Sequence, residues 1–257
     1  MKGTDYQKAV QELVKKQPSP GCYAAFNALL HVSKAWELRN LDREMAVFRS
    51  FCAEEEAATA IFHALKRLRY PGAEKLQHRN HVQKAAVMPF LWMVNKAFTI
   101  VYEQGFQPTV AIGEEKGRKR ITLSFQVPGF PYRAYPMPPL HFSLKDGDVP
   151  YRFEREFEAL KSIRNTETMK KYVREGIDNR NRLLYAQASG VLPILDIDVE
   201  PMIQSQLETV TTLLTVYLLI DMYPEHQLFV QQCLDVFIGL MTNIPQEPAS
   251  AEGSATS

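Results

Sequence analysis

The run DREMAVFRSFCAEEEAATAIFHAL, residues 42–65, decides the fold class. Asp42 is a helix N-cap residue. Beyond it Met45, Phe48, Phe51 with Cys52, Ala58 with Thr59, Phe62 and Leu65 recur at helical spacing and trace one apolar stripe. The pattern predicts a long helix from Asp42 to about Leu68, ended before Pro71-Gly72. Glu55 falls within the stripe, seven residues from both Phe48 and Phe62, while Glu54 and Glu56 sit to either side, where water is easier to reach. A carboxylate on a core-facing stripe must be paired, hydrogen-bonded or protonated, because an isolated buried charge is costly.

The same period extends outward in both directions. It predicts helices over Asp5–Lys16, stopped by Gln17-Pro18-Ser19-Pro20-Gly21, and over Ala24–Leu38. Further helices are expected over Gly72–Tyr102 with a kink at Pro89, Arg152–Gln187 with a break near Asn165, Glu200–Tyr223 and Glu225–Thr242. Between them the period switches to two. Thr109–Ile112 and Arg120–Val127 alternate and are β-branched, and the charged turn Glu114–Lys119 joins them as a hairpin. Pro128–Pro150 is rich in Pro, Tyr and Phe and reads as an ordered loop or a short further strand. The fold class is therefore mainly α, an antiparallel helical bundle in one domain over residues 1–243, with a β insertion at about 107–148. A disordered tail is expected over 244–257.

Composition narrows the function classes. Hydrophobic residues make up 46% of 257 and charged residues 23%, an ordinary globular balance that needs no disulfide or metal for its core. The formal charge is +1, so any nucleic-acid surface must be a local patch. Cys22, Cys52 and Cys233 are odd in number and far apart, against both a secreted disulfide framework and a zinc knuckle. The first residues lack the apolar core of a signal peptide, and Val210–Tyr223 is too short and polar to span a bilayer, so a cytoplasmic protein without membrane contact is expected.

Polar residues on apolar stripes are the candidate site. Tyr172 with Val173, Ile177 and Leu184 define a stripe in which Arg180 and Asn181 occupy the position between Ile177 and Leu184. A contact between Glu55 and Arg180, with Asn181 beside them, would satisfy both helices, since a guanidinium fork suits a carboxylate. It reads first as a structural ion pair and second as part of a functional site. A third cluster, His78-Arg79-Asn80-His81-Val82-Gln83-Lys84, places His78, His81 and Lys84 on one face if the helix has already begun. It reads as a phosphate or base contact with proton transfer by His81, or as a solvated basic helix start. A metal site around Glu54, Glu55, His78 and His81 is disfavoured, because no Glu-x-x-His unit occurs in the long helix. Lys116, Arg118 and Lys119 read as a solvated hairpin tip able to touch a phosphate backbone. Phe130, Tyr132, Tyr135, Phe142 and Tyr151 are expected to cover the insertion's own small core, with base stacking as the other reading. Leu213 to Met241 reads as bundle or dimer core.

These residues carry a family resemblance. Phe51-Cys52-Ala53-Glu54-Glu55-Glu56-Ala57 is similar to the helix of AbiV-type abortive-infection proteins that bears a Glu-Glu pair in an apolar stripe. His81-Val82-Gln83-Lys84 resembles that family's His-x-x-Lys step on the next helix. Arg180-Asn181-Arg182-Leu183-Leu184-Tyr185-Ala186, followed by Pro193, resembles its Arg-containing helix. The three matches come in the family's order across about residues 40–193. The resemblance implies a HEPN helical bundle that often dimerises, works on or near RNA, and takes part in antiphage defence. HEPN ribonucleases cleave without metal, a 2′-hydroxyl attacking the adjacent phosphodiester beside an Arg and a His four to six positions later. None of the six histidines here follows an Arg at that spacing; Tyr185 and Ala186 stand where the His is expected.

Two functions follow as expectations. The first is an RNA-directed effector, a candidate metal-independent endoribonuclease without cofactor. Arg180 would clamp phosphate, Asn181 would orient it, and His81 or Tyr185 would carry the proton, with Glu55, Lys84 and His78 as binding residues. The second is a non-catalytic protein of the same fold that engages a phage or host protein or a nucleotide.

Overall fold

The computed structural model describes residues 3–115, 117–164 and 198–242. It is mainly helical with a small antiparallel sheet. Helix α1 is Asp5–Lys16, α2 Pro20–Leu38 and α3 Arg43–Arg67. A 3₁₀ turn, Ala73–Lys75, leads into α4, His81–Ala85, and α5, Val87–Glu103. After the insertion come α6, Glu154–Arg164, α7, Val199–Asp221, and α8, Leu228–Thr242.

Local chemistry explains the boundaries. Thr4 and Gln7 form a reciprocal capping box at the start of α1, each side chain bonding the other's backbone N–H. Pro20 occupies the first turn of α2, where its missing N–H costs nothing. Asp42 caps α3 through the Met45 N–H at 2.9 Å, as its sequence position predicts. The long helix expected over Gly72–Tyr102 is divided. Asn80 accepts the Gln83 N–H and starts α4 only at His81, and the helix breaks at Ala86. That break lies one turn before Pro89, whose ring removes the N–H that Ala85 would have bonded.

The helices pack around α7. Its Ile203, Leu207, Val210, Leu213, Leu214, Tyr217 and Leu218 are all buried, so the Leu-rich stretch from Leu213 onward is bundle core. Helix α3 packs on α7 on one side and on α2 on the other. The α2–α3 seam is built of small residues: Ala24, Ala25, Ala28 and Ala35 on one helix, Ala46, Ala53, Ala57, Ala60 and Ala64 on the other, all buried. At the end of the seam Asp221 of α7 gathers a polar hub. Arg67 Nε donates to it at 2.9 Å and Gln17 Nε2 at 2.8 Å, while Tyr217 OH donates at 3.2 Å and is itself bonded to Ser19 Oγ at 2.9 Å. The stretch from His81 to Glu103 is long and apolar enough to cross a membrane, and 41% of its most apolar window is buried inside the protein.

The insertion holds strands β1, Gln107–Glu115, β2, Arg118–Gln126, and β3, Arg133–Ala134, in the order β1-β2-β3. Ile112 pairs with Ile121 and Val110 with Leu123, and Gly117 (φ 74°) lies in the turn. A second hairpin, β4, Lys145–Asp146, and β5, Val149–Pro150, carries the insertion to residue 150. Stacking and side-chain hydrogen bonds fasten it to the bundle. Phe142 stacks on Phe229 at 4.8 Å; Gln227 donates to Leu219 O and accepts from Leu140 N–H; and Gln232 bonds the backbone of Leu144 and Tyr151. The aromatic loop therefore divides. Phe142 and Tyr151 pack on the bundle as core, but Phe130, Tyr132 and Tyr135 are exposed, against the expectation that they cover the insertion. Of the insertion's buried residues, Ile121 joins the core of the bundle and Ser124 accepts from Arg133, so neither covers these rings.

Gly21 sits where α2 meets α3 and α7. A Cβ there would lie 2.8 Å from Tyr217 Cε2 and 3.0 Å from Ala60 O, and Tyr217 is anchored by Ser19 and Asp221. Gly21→Ala, which ordinarily stabilises a helix by up to about 1 kcal/mol, should here destabilise by roughly 1–3 kcal/mol. Urea denaturation gives the sign directly, and a more stable variant would show that the Tyr217 ring yields.

Candidate functional site

Glu55 is buried on the face of α3 that meets α4, and the structure gives it two basic partners. His81 Nδ1 lies 2.6 Å and Lys84 Nζ 2.9 Å from its Oε2. The predicted three-residue step thus brings His81 and Lys84 together on one face of α4, as expected. Their environments differ. The Lys84 side chain is 7% exposed, so its ammonium is an interior counter-charge and not part of a solvated helix start; the His81 side chain is 50% exposed and presents its ring at the surface. Gln83 holds α4 in place from the opposite side, accepting the Gln77 N–H at 2.6 Å and donating to Lys75 O.

Two expectations about the neighbours need correction. His78 does not share the face of His81, because α4 begins after it at the Asn80 cap; its exposed ring instead stacks on His63 of α3 at 5.7 Å. Glu54 does not turn freely to water. It is half-buried and accepts a 2.9 Å hydrogen bond from Gln206 of α7. Burial pushes its carboxyl above the ordinary range, the Gln206 bond opposing this and the Glu55 charge adding to it. Sequence reading missed His63 and Gln206. His63 stands seven residues, about two turns, from Glu56, whose charge acts on its ring. Gln206 carries no such signal, since only packing brings α7 beside α3.

Arg180, Asn181 and Tyr185, and with them the predicted Glu55–Arg180 pairing, lie outside the described residues. Among the described residues no three His, Cys, Asp or Glu side chains converge into a metal-ligand set.

The arrangement is a carboxylate–imidazole pair backed by a buried ammonium. Glu55 fixes the orientation of the His81 ring through Nδ1, and Lys84 sets a positive charge against Glu55 in the interior. A half-exposed imidazole oriented by a carboxylate is placed to take or deliver a proton at the surface. No protein-family model, curated protein or solved structure matches the chain.

The charge pairing has a measurable consequence. Glu55→Leu strands the Lys84 ammonium in the interior and should cost about 3–5 kcal/mol, and adding Lys84→Met should recover most of it, because both charges are then gone. Additive losses in urea denaturation would show that the two do not depend on each other. A second expectation concerns acid. Burial, then the neighbouring His78 and Lys66, hold the His63 imidazole below its ordinary value against a smaller opposing pull from Glu56. Below its unfolded value, about 6.5, the unfolded chain binds the proton more readily than the folded one. Stability is thus full above that pH and falls as the pH drops toward the folded value. Melting curves of His63→Gln should fall less than those of wild type between about pH 6.5 and 5.

Proposed function

We propose that the protein is an RNA-directed effector of the AbiV-like, HEPN type, acting as a metal-independent endoribonuclease. The observation that carries this reading is the 2.6 Å contact between the buried Glu55 carboxylate and the half-exposed His81 ring. It puts an oriented proton carrier beside the His-x-x-Lys step that the resemblance marks. It also suggests how the chain works without a His four to six residues after Arg180: the imidazole comes from α4. In this reading His81 takes the proton of a 2′-hydroxyl as that oxygen attacks the adjacent phosphorus. The bond from phosphorus to the 5′-oxygen breaks, and the departing oxygen is protonated by Tyr185 or by water. Arg180 clamps the phosphate and Asn181 orients it. Glu55 and Lys84 are positioning residues for His81 rather than groups that touch RNA.

A second reading has its own support. Lys84 is spent on Glu55, so α4 offers phosphate one fewer cation than its sequence promises. A non-catalytic protein of the same fold, engaging a phage or host protein or a nucleotide, needs no more.

The deciding measurement is RNA cleavage by purified protein with EDTA present. Cleavage is expected from wild type and is expected to be lost in His81→Ala and Arg180→Lys variants whose circular dichroism is unchanged. Undiminished cleavage by folded His81→Ala would remove the imidazole from the mechanism. Absence of cleavage by every form would transfer the assignment to the binding reading.

A further inference from the structure

The loop Pro128-Gly129-Phe130-Pro131-Tyr132-Arg133-Ala134-Tyr135-Pro136-Met137-Pro138-Pro139 displays its aromatic rings to solvent. Phe130 is 54%, Tyr132 55% and Tyr135 64% exposed, and the first two rings lie 5.1 Å apart and tilted by 40°. Exposed aromatic rings are costly to leave in water, and here the surrounding backbone is built to keep them there. Gln126 Nε2 donates to both Phe130 O and Tyr132 O. Arg133 straps the loop across the sheet, donating to Ser124 Oγ at 2.9 Å, Thr109 Oγ1 at 2.6 Å and Gln107 O at 3.1 Å. Five prolines between residues 128 and 139 restrict the chain further. The rings are therefore held ready, with little ordering entropy left to lose on binding.

The charge balance around the loop favours one kind of ligand. Between residues 107 and 150 there are six Lys and Arg against four Asp and Glu, so the insertion is net +2 in a chain of net +1. Its exposed Arg118 and Lys119 stand at the hairpin tip, at the other end of the β1–β2 ladder from the loop, about 27 Å away for eight residue steps. Aromatic faces that stack on bases and cations spaced along a sheet that meet phosphates are the two parts of a single-strand binding surface.

We propose that the insertion is a single-stranded RNA platform on which Phe130, Tyr132 and Tyr135 stack on unpaired bases, with Arg118 and Lys119 contacting the phosphate backbone. It deepens the RNA-directed reading and rests on it. Binding can be separated from cleavage with a fluorescent oligouridine bearing 2′-O-methyl groups, which lacks the attacking hydroxyl. Fluorescence anisotropy is expected to show wild type binding this strand and binding a duplex of equal length more weakly. The triple variant Phe130→Ala, Tyr132→Ala, Tyr135→Ala should bind at least about tenfold more weakly, since each stacked ring contributes several-fold or more. Tyr132→Phe with Tyr135→Phe should bind like wild type, because stacking needs the ring and not the hydroxyl. Arg118→Ala with Lys119→Ala should reduce the slope of log affinity against log salt by roughly 1.4. Unweakened binding by the triple variant, equal affinity for strand and duplex, or no binding by wild type would each overturn the platform, the first assigning the rings to a protein partner instead. A hydroxyl-bearing strand cleaved by the triple variant as fast as by wild type would count against the platform alone. Tight ring-dependent binding without any cleavage would count against the ribonuclease reading alone.

Discussion

The bundle is organised around one buried carboxylate. Asp221, at the last turn of α7 and with its side chain fully buried, accepts from Arg67 at the end of α3, from Gln17 in the α1–α2 linker and from Tyr217 one turn earlier on its own helix. Tyr217 in turn meets Ser19, which opens α2. Three segments distant in sequence, the α1–α2 linker, the end of α3 and the end of α7, thus meet at one charge. A buried carboxylate is tolerated only when its lone pairs are occupied and its charge is answered, so the helices can approach only in the arrangement that satisfies it. The alanine seam and Gly21 then allow α2 to lie close against α3 and α7.

The candidate site repeats this economy at the other side of α3, where a second buried carboxylate is answered by residues from a single short helix. The consequence differs because α4 lies at the surface. Asp221 is answered by a guanidinium whose side chain is 36% exposed and by interior hydrogen bonds, whereas Glu55 reaches outward through an imidazole that is half in water. One carboxylate holds the fold together; the other holds an imidazole in place at the surface. Glu54, beside Glu55 on α3, turns instead toward Gln206 of α7.

The insertion is attached by side chains that reach for its backbone, Gln227, Gln232 and Tyr223, together with the Phe142–Phe229 stack. Backbone carbonyls and N–H groups lying against the bundle would otherwise be buried without partners, which is why two glutamines and a tyrosine occupy an otherwise apolar surface. Fastening at one end leaves the opposite surface of the sheet and its aromatic loop in solvent.

Much of the fold was legible in the residue order. The helical period marks α1 as Asp5–Lys16 and, with the Asp42 cap, α3 to within a residue at each end, and the alternation of Thr109–Ile112 against Arg120–Val127 marks the hairpin, because these are local effects of one or two turns of chain. The site was half legible. Glu55 stands out as a charge on an apolar stripe, and His81 with Lys84 as a three-residue step, yet nothing local says that they meet, that Lys84 is the buried member, or that Gln206 holds Glu54. The aromatic loop was misread for the same reason. Composition marks Phe130, Tyr132, Tyr135 and Phe142 alike as apolar, and only the position of the bundle separates the ring that packs from the three that face water. The sequence by itself determined which segments are helix or strand and which polar residues must find partners, since both follow from local sterics and the cost of burying charge. The tertiary structure alone decided who those partners are and which rings stay in solvent, because pairing and exposure depend on contacts between segments up to two hundred residues apart.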